Sequence, residues 1–240
     1  MSSGPHAPDS INWDLSGLAD DVLAEFNDRF ALAVDHGADK VIFHYNGCEW
    51  NFESRRKASR TDVSGQISQE SLSWHDFDLS GIEVVVDLAS AEPLIDGYFD
   101  FDPADPDDTG GIRVYLSVTE CSIDTVRIAR QVRATLVHEL YHAGCRSSKP
   151  IDYTGGLLSF EDHLTDSEEI GARVEEAMAL MAVDENPAHV RLFEKTLCSL
   201  IECYLTRNGV ALDDARFESL SSEMFKSHMT EYRCVMGFFG

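Results

Sequence analysis

The sequence predicts an α+β fold in which one helix is followed by several strands and then by a run of helices. Two observations lead to this prediction. Apolar residues recur about every four positions near the N-terminus and at helical spacing again beyond residue 122, as on the buried face of an amphipathic helix. Between these regions, short runs rich in β-branched residues indicate strands. Because the strands are grouped and do not alternate with helices, the pattern favours α+β over α/β.

The N-terminal half contains one predicted helix and four predicted strands. Residues 1–12 are rich in Ser, Gly and Pro and are predicted to be a flexible terminus, with a single domain over 13–240. A helix is predicted from Leu18 to about His36, with Gly37 as its C-cap. The polar segment 54–70 is predicted to be an exposed loop or ragged hairpin, and 96–111 a loop. The predicted strands are KVIFHYNG, which ends in an Asn-Gly turn, CEWNF, IEVVVDLA (82–89) and IRVYLSV (112–118).

The C-terminal half is predicted to be helical. A helix begins near Ser122, and Gly144 is expected to end it. Residues 145–165 are predicted to form a long loop. Further helical patterns cover about 167–182, 188–207 and 212–229.

Charge restricts the classes of partner. The chain has 240 residues, enough for a sizeable core, and carries 43 Asp and Glu against 19 Lys and Arg, a formal net charge of −24. Such a surface repels phosphate backbones and anionic lipid, so we expect neither a nucleic-acid nor a membrane partner. No apolar run reaches the roughly 18–20 residues that span a bilayer, and no secretory signal is visible, so a cytoplasmic location is expected.

The segment TLVHELYHAG contains an H-E-x-x-H motif formed by His138, Glu139 and His142. Residues four apart on a helix share a face, so both imidazoles can bind one tetrahedral cation. Glu139 lies beside that face, where it can reach a metal-bound water without binding the metal itself. Chance produces this pattern in only about one per cent of chains of this size. The motif therefore predicts a zinc site.

A catalytic zinc site needs a third protein ligand and an open fourth position. Cys145 and Ser148 stand where the longer metzincin motif requires Gly and His, which excludes that class. Two downstream residues, Glu169 and His163, are candidates for the third ligand. Glu169 also completes a capping-box pattern with Asp166, a role that competes with metal binding. If Glu169 binds zinc, Glu168 is expected to take the capping role, with Thr165 as the N-cap.

The two segments HELYH and TDSEEIGARVEEAM together resemble gluzincin-type zinc metallopeptidases, and more narrowly small, often phage-encoded ones. In those proteins H-E-x-x-H is followed by a motif similar to S-D-P-x-E-x-x-A-x-A. Asp166 matches its acidic residue, Glu169 its metal-binding Glu and Ala172 its small residue, whereas Ser167 replaces its usual Pro. The resemblance covers about a fifth of the chain.

The resemblance implies a zincin-like fold, with an N-terminal helix and a small mixed sheet before the active-site helix and a helical C-terminal part. It also implies zinc held by His138, His142 and Glu169, and hydrolysis of a peptide or protein substrate by metal-activated water with Glu139 as general base. The strand IRVYLSV is expected to line the cleft and to pair with an extended peptide. Two alternatives remain: a catalytically inactive, zinc-stabilised binding protein, and a SprT-like protease with His163 as third ligand.

Several supporting roles stay open on the sequence. Tyr141, Tyr153 and His163 are candidates to stabilise an oxyanion, and Asp152 and Asp162 are candidates to hold the ligand imidazoles. The segment DFDPADPDD is interpreted as a solvated acidic loop. A calcium site is the less favoured interpretation, because a Gly and not a Glu stands twelfth from the first Asp and two prolines interrupt the pattern.

Overall fold

The computed structural model of the chain describes residues 14–47, 49–57, 59–66, 79–100, 109–119, 123–148, 160–181 and 190–237, without the side chains of 146–148 and 161–163. These ranges contain six helices and six strands, which confirms the α+β class. In chain order they are α1 (Leu15–Asp35), β1 (Lys40–Tyr45), β2 (Glu49–Arg56), β3 (Ser59–Gln66), β4 (Gly81–Asp87), β5 (Leu94–Asp100), β6 (Gly111–Ser117), α2 (Thr125–Ser148), α3 (Phe160–Thr165), α4 (Ser167–Leu180), α5 (Val190–Arg207) and α6 (Phe217–Val235).

The six strands form one mixed sheet in the order β3-β2-β1-β4-β6-β5. Strands β4 and β6 are parallel, and every other neighbouring pair is antiparallel. The predicted Asn-Gly turn joins β1 to β2, and Gly47 has a φ of 91°, a conformation that glycine adopts without steric cost. The polar segment after β2 forms a regular hairpin, with β3 paired to β2 over its whole length.

Two hydrophobic clusters flank the interface between α2 and α4. The first lies between one face of the sheet and helices α1 and α2, and it includes Phe26, Phe43, Val84, Val114 and Leu136. The second is formed mainly by α4, α5 and α6, with Val174, Phe193, Leu197 and Tyr232 among its buried residues. None of the helices in the described ranges has an apolar stretch long enough to cross a membrane.

Several predicted boundaries are wrong, among them those of α6, which spans Phe217–Val235 where 212–229 is predicted. Residues 96–100, predicted to be loop, belong to strand β5, in which Ile95, Gly97 and Phe99 alternate towards the interior although Gly and Asp disfavour strands. Helix α2 continues through Gly144, which is buried and helical, to Ser148. The segment 145–165, predicted to be a loop throughout, contains α3 at its end.

Candidate metal centre

Helices α2 and α4 bring together His138, His142 and Glu169, three side chains that are each about 15% exposed. The two Nε2 atoms lie 3.1 Å apart. Glu169 Oε1 lies 3.4 Å from His142 Nε2, and Glu169 Oε2 lies 3.8 Å from His138 Nε2. Ligands of a tetrahedral zinc ion are about 3.3 Å apart, so these distances fit one ion bound between the three side chains. Among the described residues no other group of potential ligands converges in this way.

Both imidazoles are oriented by carboxylates on their outer nitrogens. His138 Nδ1 lies 3.0 Å from Glu176 Oε2, and His142 Nδ1 lies 3.0 Å from Glu168 Oε1. A carboxylate accepts hydrogen bonds, so each Nδ1 carries the proton and each Nε2 can present a lone pair to a metal. Two lone pairs facing each other at 3.1 Å repel unless a cation or a proton lies between them. The donor set therefore fits a metal ion.

When no metal is bound, a proton can take this position instead. Burial by itself would lower the pKa of His138, but the bond to Glu176 and the charges of Glu139 and Glu169 outweigh it and raise the pKa to about 9. At neutral pH a protonated His138 can donate its Nε2–H to His142 Nε2. A metal ion would have to displace this proton in order to bind.

The N-terminus of α4 explains how Glu169 can face the two histidines although it also fits a capping box. Asp166 is the N-cap, and its side chain accepts hydrogen bonds from the backbone N–H groups of Glu168 and Glu169. The expectation that Thr165 is the N-cap and that Glu168 serves the cap is wrong, because Glu168 instead binds the imidazole of His142. The cap thus uses the backbone of Glu169 and leaves its carboxylate directed at the histidines.

Glu139 lies on the flank of α2 that faces strand β5. Its side chain is buried, and burial raises its pKa above the usual range although His138 and His142 partly offset the effect. Gly97 of β5 passes directly over it: a Cβ at Gly97 would lie 2.8 Å from Glu139 Oε1 and 2.5 Å from Thr135 Cγ2. A carboxyl whose pKa is raised holds a proton more readily, which suits a group that accepts a proton and releases it again.

Strand β6, which contains the expected cleft strand IRVYLSV, has no free edge to offer a peptide. It is an interior strand, paired with β4 on one side and β5 on the other. The strand at this edge of the sheet is β5, which is antiparallel to β6 and packs against α2. The prediction failed because β5 lies in a segment whose Gly, Pro and Asp content is typical of loops.

The other sequence candidates divide into two groups. Tyr141 lies on the flank of α2 away from Glu139, with its phenol against Gly171 of α4, and burial raises its pKa far above the usual range. The remaining candidates lie outside the described residues or side chains: Asp152, Tyr153, Asp162, His163 and the acidic residues 102–108.

Sequence reasoning missed Glu168 and Glu176 as partners of the two imidazoles. A signal for Glu176 was present, because it follows Glu169 by seven residues, two helical turns, and therefore lies on the same face of α4. Helices α2 and α4 run antiparallel, so the later residue of α4 meets the earlier histidine of α2. The sequence does not reveal that direction.

Comparison of the chain with known protein families, with curated proteins and with solved structures finds no match.

Proposed function

We propose that this chain is a zinc metallopeptidase of the gluzincin type, with zinc held by His138, His142 and Glu169. The observation that carries the proposal is the convergence of two Nε2 atoms and one carboxylate within ligand distance of a single point, each imidazole held by a further carboxylate. A buried glutamate stands next to this point, which is the arrangement that water activation requires.

The surrounding fold supports a zincin-like interpretation. Strand β5 is antiparallel to its neighbour and packs on the helix that carries the motif. No described strand pairs with the outer edge of β5. An extended peptide can therefore add to this edge by main-chain hydrogen bonds, which would bring its carbonyl groups past Glu139.

The chemical roles follow from the positions of the side chains. When bound, zinc would supply Lewis acidity, which makes a water molecule more acidic and polarises a peptide carbonyl. Glu139 would accept the proton of the attacking water and pass it to the departing amine. Glu168 and Glu176 would keep the imidazoles in the tautomer that binds metal and would increase their basicity.

Metal content tests the ligand assignment. Purified wild-type protein should hold about one zinc ion per chain, as measured by mass spectrometry of the metal, and His138→Ala or His142→Ala should abolish binding. Glu169→Ala should weaken binding much more than His163→Ala. If His163→Ala removes the metal and Glu169→Ala does not, the third ligand is His163 and the SprT-like alternative is correct. Wild-type protein that cannot take up zinc would refute the proposal.

Glu139→Gln separates metal binding from catalysis. The amide keeps the size and the hydrogen-bonding capacity of the side chain but cannot accept the proton. We expect this variant to fold and to bind zinc while hydrolysis of an unstructured protein such as casein falls by a factor of at least about 10². Wild-type protein that binds zinc but cleaves neither casein nor itself would favour the zinc-stabilised binding protein. Equal activity of both forms would assign the hydrolysis to another site.

A further inference from the structure

We infer that Arg173 is a positioning residue for the metal ligand Glu169, and that it restricts this ligand to binding through a single oxygen. The inference rests on the proposed metal site. Arg173 lies one turn after Glu169 on α4, and its Nη2 donates to Glu169 Oε2 at 3.0 Å. Only 5% of Arg173 is exposed, so this ion pair is largely shielded from water.

The two oxygens of Glu169 have different surroundings. Oε2 accepts from the guanidinium of Arg173 and lies 3.8 Å from His138 Nε2, whereas Oε1 lies 3.4 Å from His142 Nε2. An oxygen engaged by a buried arginine is a weaker donor to a metal ion. Oε1 is therefore the ligand atom, and a second metal contact through Oε2 is opposed. This arrangement would leave coordination positions for water and substrate.

Arg173 is held from its other side by helix α5. Its guanidinium stacks on the ring of Tyr204, 4.1 Å from the ring centroid. Tyr204 in turn stacks on Phe160 of α3 with ring centroids 6.1 Å apart. A chain of contacts thus connects the second hydrophobic cluster to the metal ligand, and α5 contributes to the site although it supplies no ligand.

Three variants test the inference. Arg173→Met removes the guanidinium and keeps an unbranched apolar side chain of similar length. Tyr204→Leu removes the aromatic ring under the guanidinium and keeps an apolar side chain. Arg29→Met is the matched control: Arg29 pairs with Glu25 at i,i+4 over 3.1 Å and stacks on Trp50 at 4.3 Å, but it lies on α1, which contributes no ligand.

The readouts are zinc affinity, by competition with a chromophoric chelator, and the visible d–d absorption of the protein loaded with cobalt(II). Outer partners of metal ligands typically contribute about 10–100-fold to affinity, and we expect a loss of this size for Arg173→Met. We also expect its cobalt bands to weaken, because Glu169 becomes able to bind through both oxygens and the coordination number rises. Tyr204→Leu should change both readouts in the same direction by a smaller factor, and Arg29→Met should match wild type.

The outcomes separate this inference from the proposed function. Wild-type protein that binds no metal refutes the proposed function and the inference together. Wild-type protein that binds zinc, with Arg173→Met identical to Arg29→Met in both affinity and cobalt spectrum, refutes the inference alone. If Arg173→Met does not fold, Tyr204→Leu decides: wild-type affinity and an unchanged cobalt spectrum in that variant overturn the inference, and a parallel change supports it.

Discussion

Gly171 lies where α4 packs closely against Tyr141 of α2, and Gly171→Ala tests how the site is assembled. Gly171 is buried in the interior of α4, under the ring of Tyr141. A Cβ at this position would lie 2.1 Å from the Tyr141 hydroxyl oxygen and 2.4 Å from Cζ. A relaxed contact between heavy atoms needs about 3.5 Å, so the ring or the helix must move by roughly 1 Å or more.

Two opposing effects decide the sign of the change in stability. Replacing an interior helical Gly by Ala would by itself stabilise the helix by about 1 kcal/mol. Overpacking of a tight interface costs about 1–3 kcal/mol, and the contacts at Gly171 place this variant at the upper end. We therefore expect a net loss of about 2 kcal/mol in the free energy of unfolding. Zinc binding should weaken as well, because ligand distances are fixed to within about 0.2 Å.

The assay is a double-mutant cycle of Gly171 and Tyr141. The free energy of unfolding in urea is measured with and without zinc, and zinc affinity is measured by competition with a chelator. In the Gly171→Ala background, Tyr141→Phe removes the hydroxyl oxygen at 2.1 Å but leaves Cζ at 2.4 Å, so it should restore little of the lost stability. Tyr141→Ala removes the ring. The loss in the free energy of unfolding that it causes should be about 1–2 kcal/mol smaller in the Gly171→Ala background than in wild type, and this difference is the coupling energy. A Gly171→Ala variant that is about 1 kcal/mol more stable than wild type would refute the reasoning, because propensity alone would then govern the position.

Three further predictions concern charge and geometry around the site. Gly97→Ala should retain zinc but lose most hydrolytic activity towards casein, because its Cβ would displace the Glu139 carboxylate. The apparent zinc affinity, measured with competing chelators, should rise about tenfold per pH unit between pH 7 and 8, because the metal displaces a proton from His138, whose pKa is about 9. Burial and the charge of Glu231 raise the pKa of Glu175 to about 7, above its unfolded value, so ionisation of Glu175 destabilises the fold progressively from about pH 4.5 to above pH 7. Glu175→Gln should therefore be more stable than wild type by about 2 kcal/mol in urea unfolding at pH 8, and the difference should shrink as the pH is lowered to about 5.5.

Each of these expectations has a contrary result. Full activity in Gly97→Ala would show that the Glu139 carboxylate need not lie under β5. A zinc affinity that does not change between pH 7 and 8 would show that no proton is displaced. An equal gain in stability for Glu175→Gln at both pH values would mean that the gain does not come from the ionised carboxylate.

The sequence predicted the coarse order of helix, strands and helices from short-range periodicity, and it singled out His138, His142 and Glu169, which the structure brings together. The spacing of His138 and His142 places two imidazoles on one helical face wherever that helix lies. Strand β5 was missed because its pairing and packing, which no local propensity reports, offset its unfavourable Gly97. The carboxylates on the outer nitrogens were missed because their assignment depends on the direction in which α4 crosses α2, a property of the tertiary structure.

The interface between α2 and α4 is itself an argument that this region serves a function. Between two apolar clusters, it buries two histidines, an arginine and several carboxylates, among them Glu168, Glu169 and Glu176. Buried ion pairs contribute little net stability, and well-packed apolar side chains of similar volume would hold two helices together at least as well. Stability alone therefore does not account for this set of side chains. A bound cation does account for it. The cation would neutralise the charge of Glu169 and interact with the facing lone pairs of the two imidazoles, and each outer carboxylate would orient one imidazole.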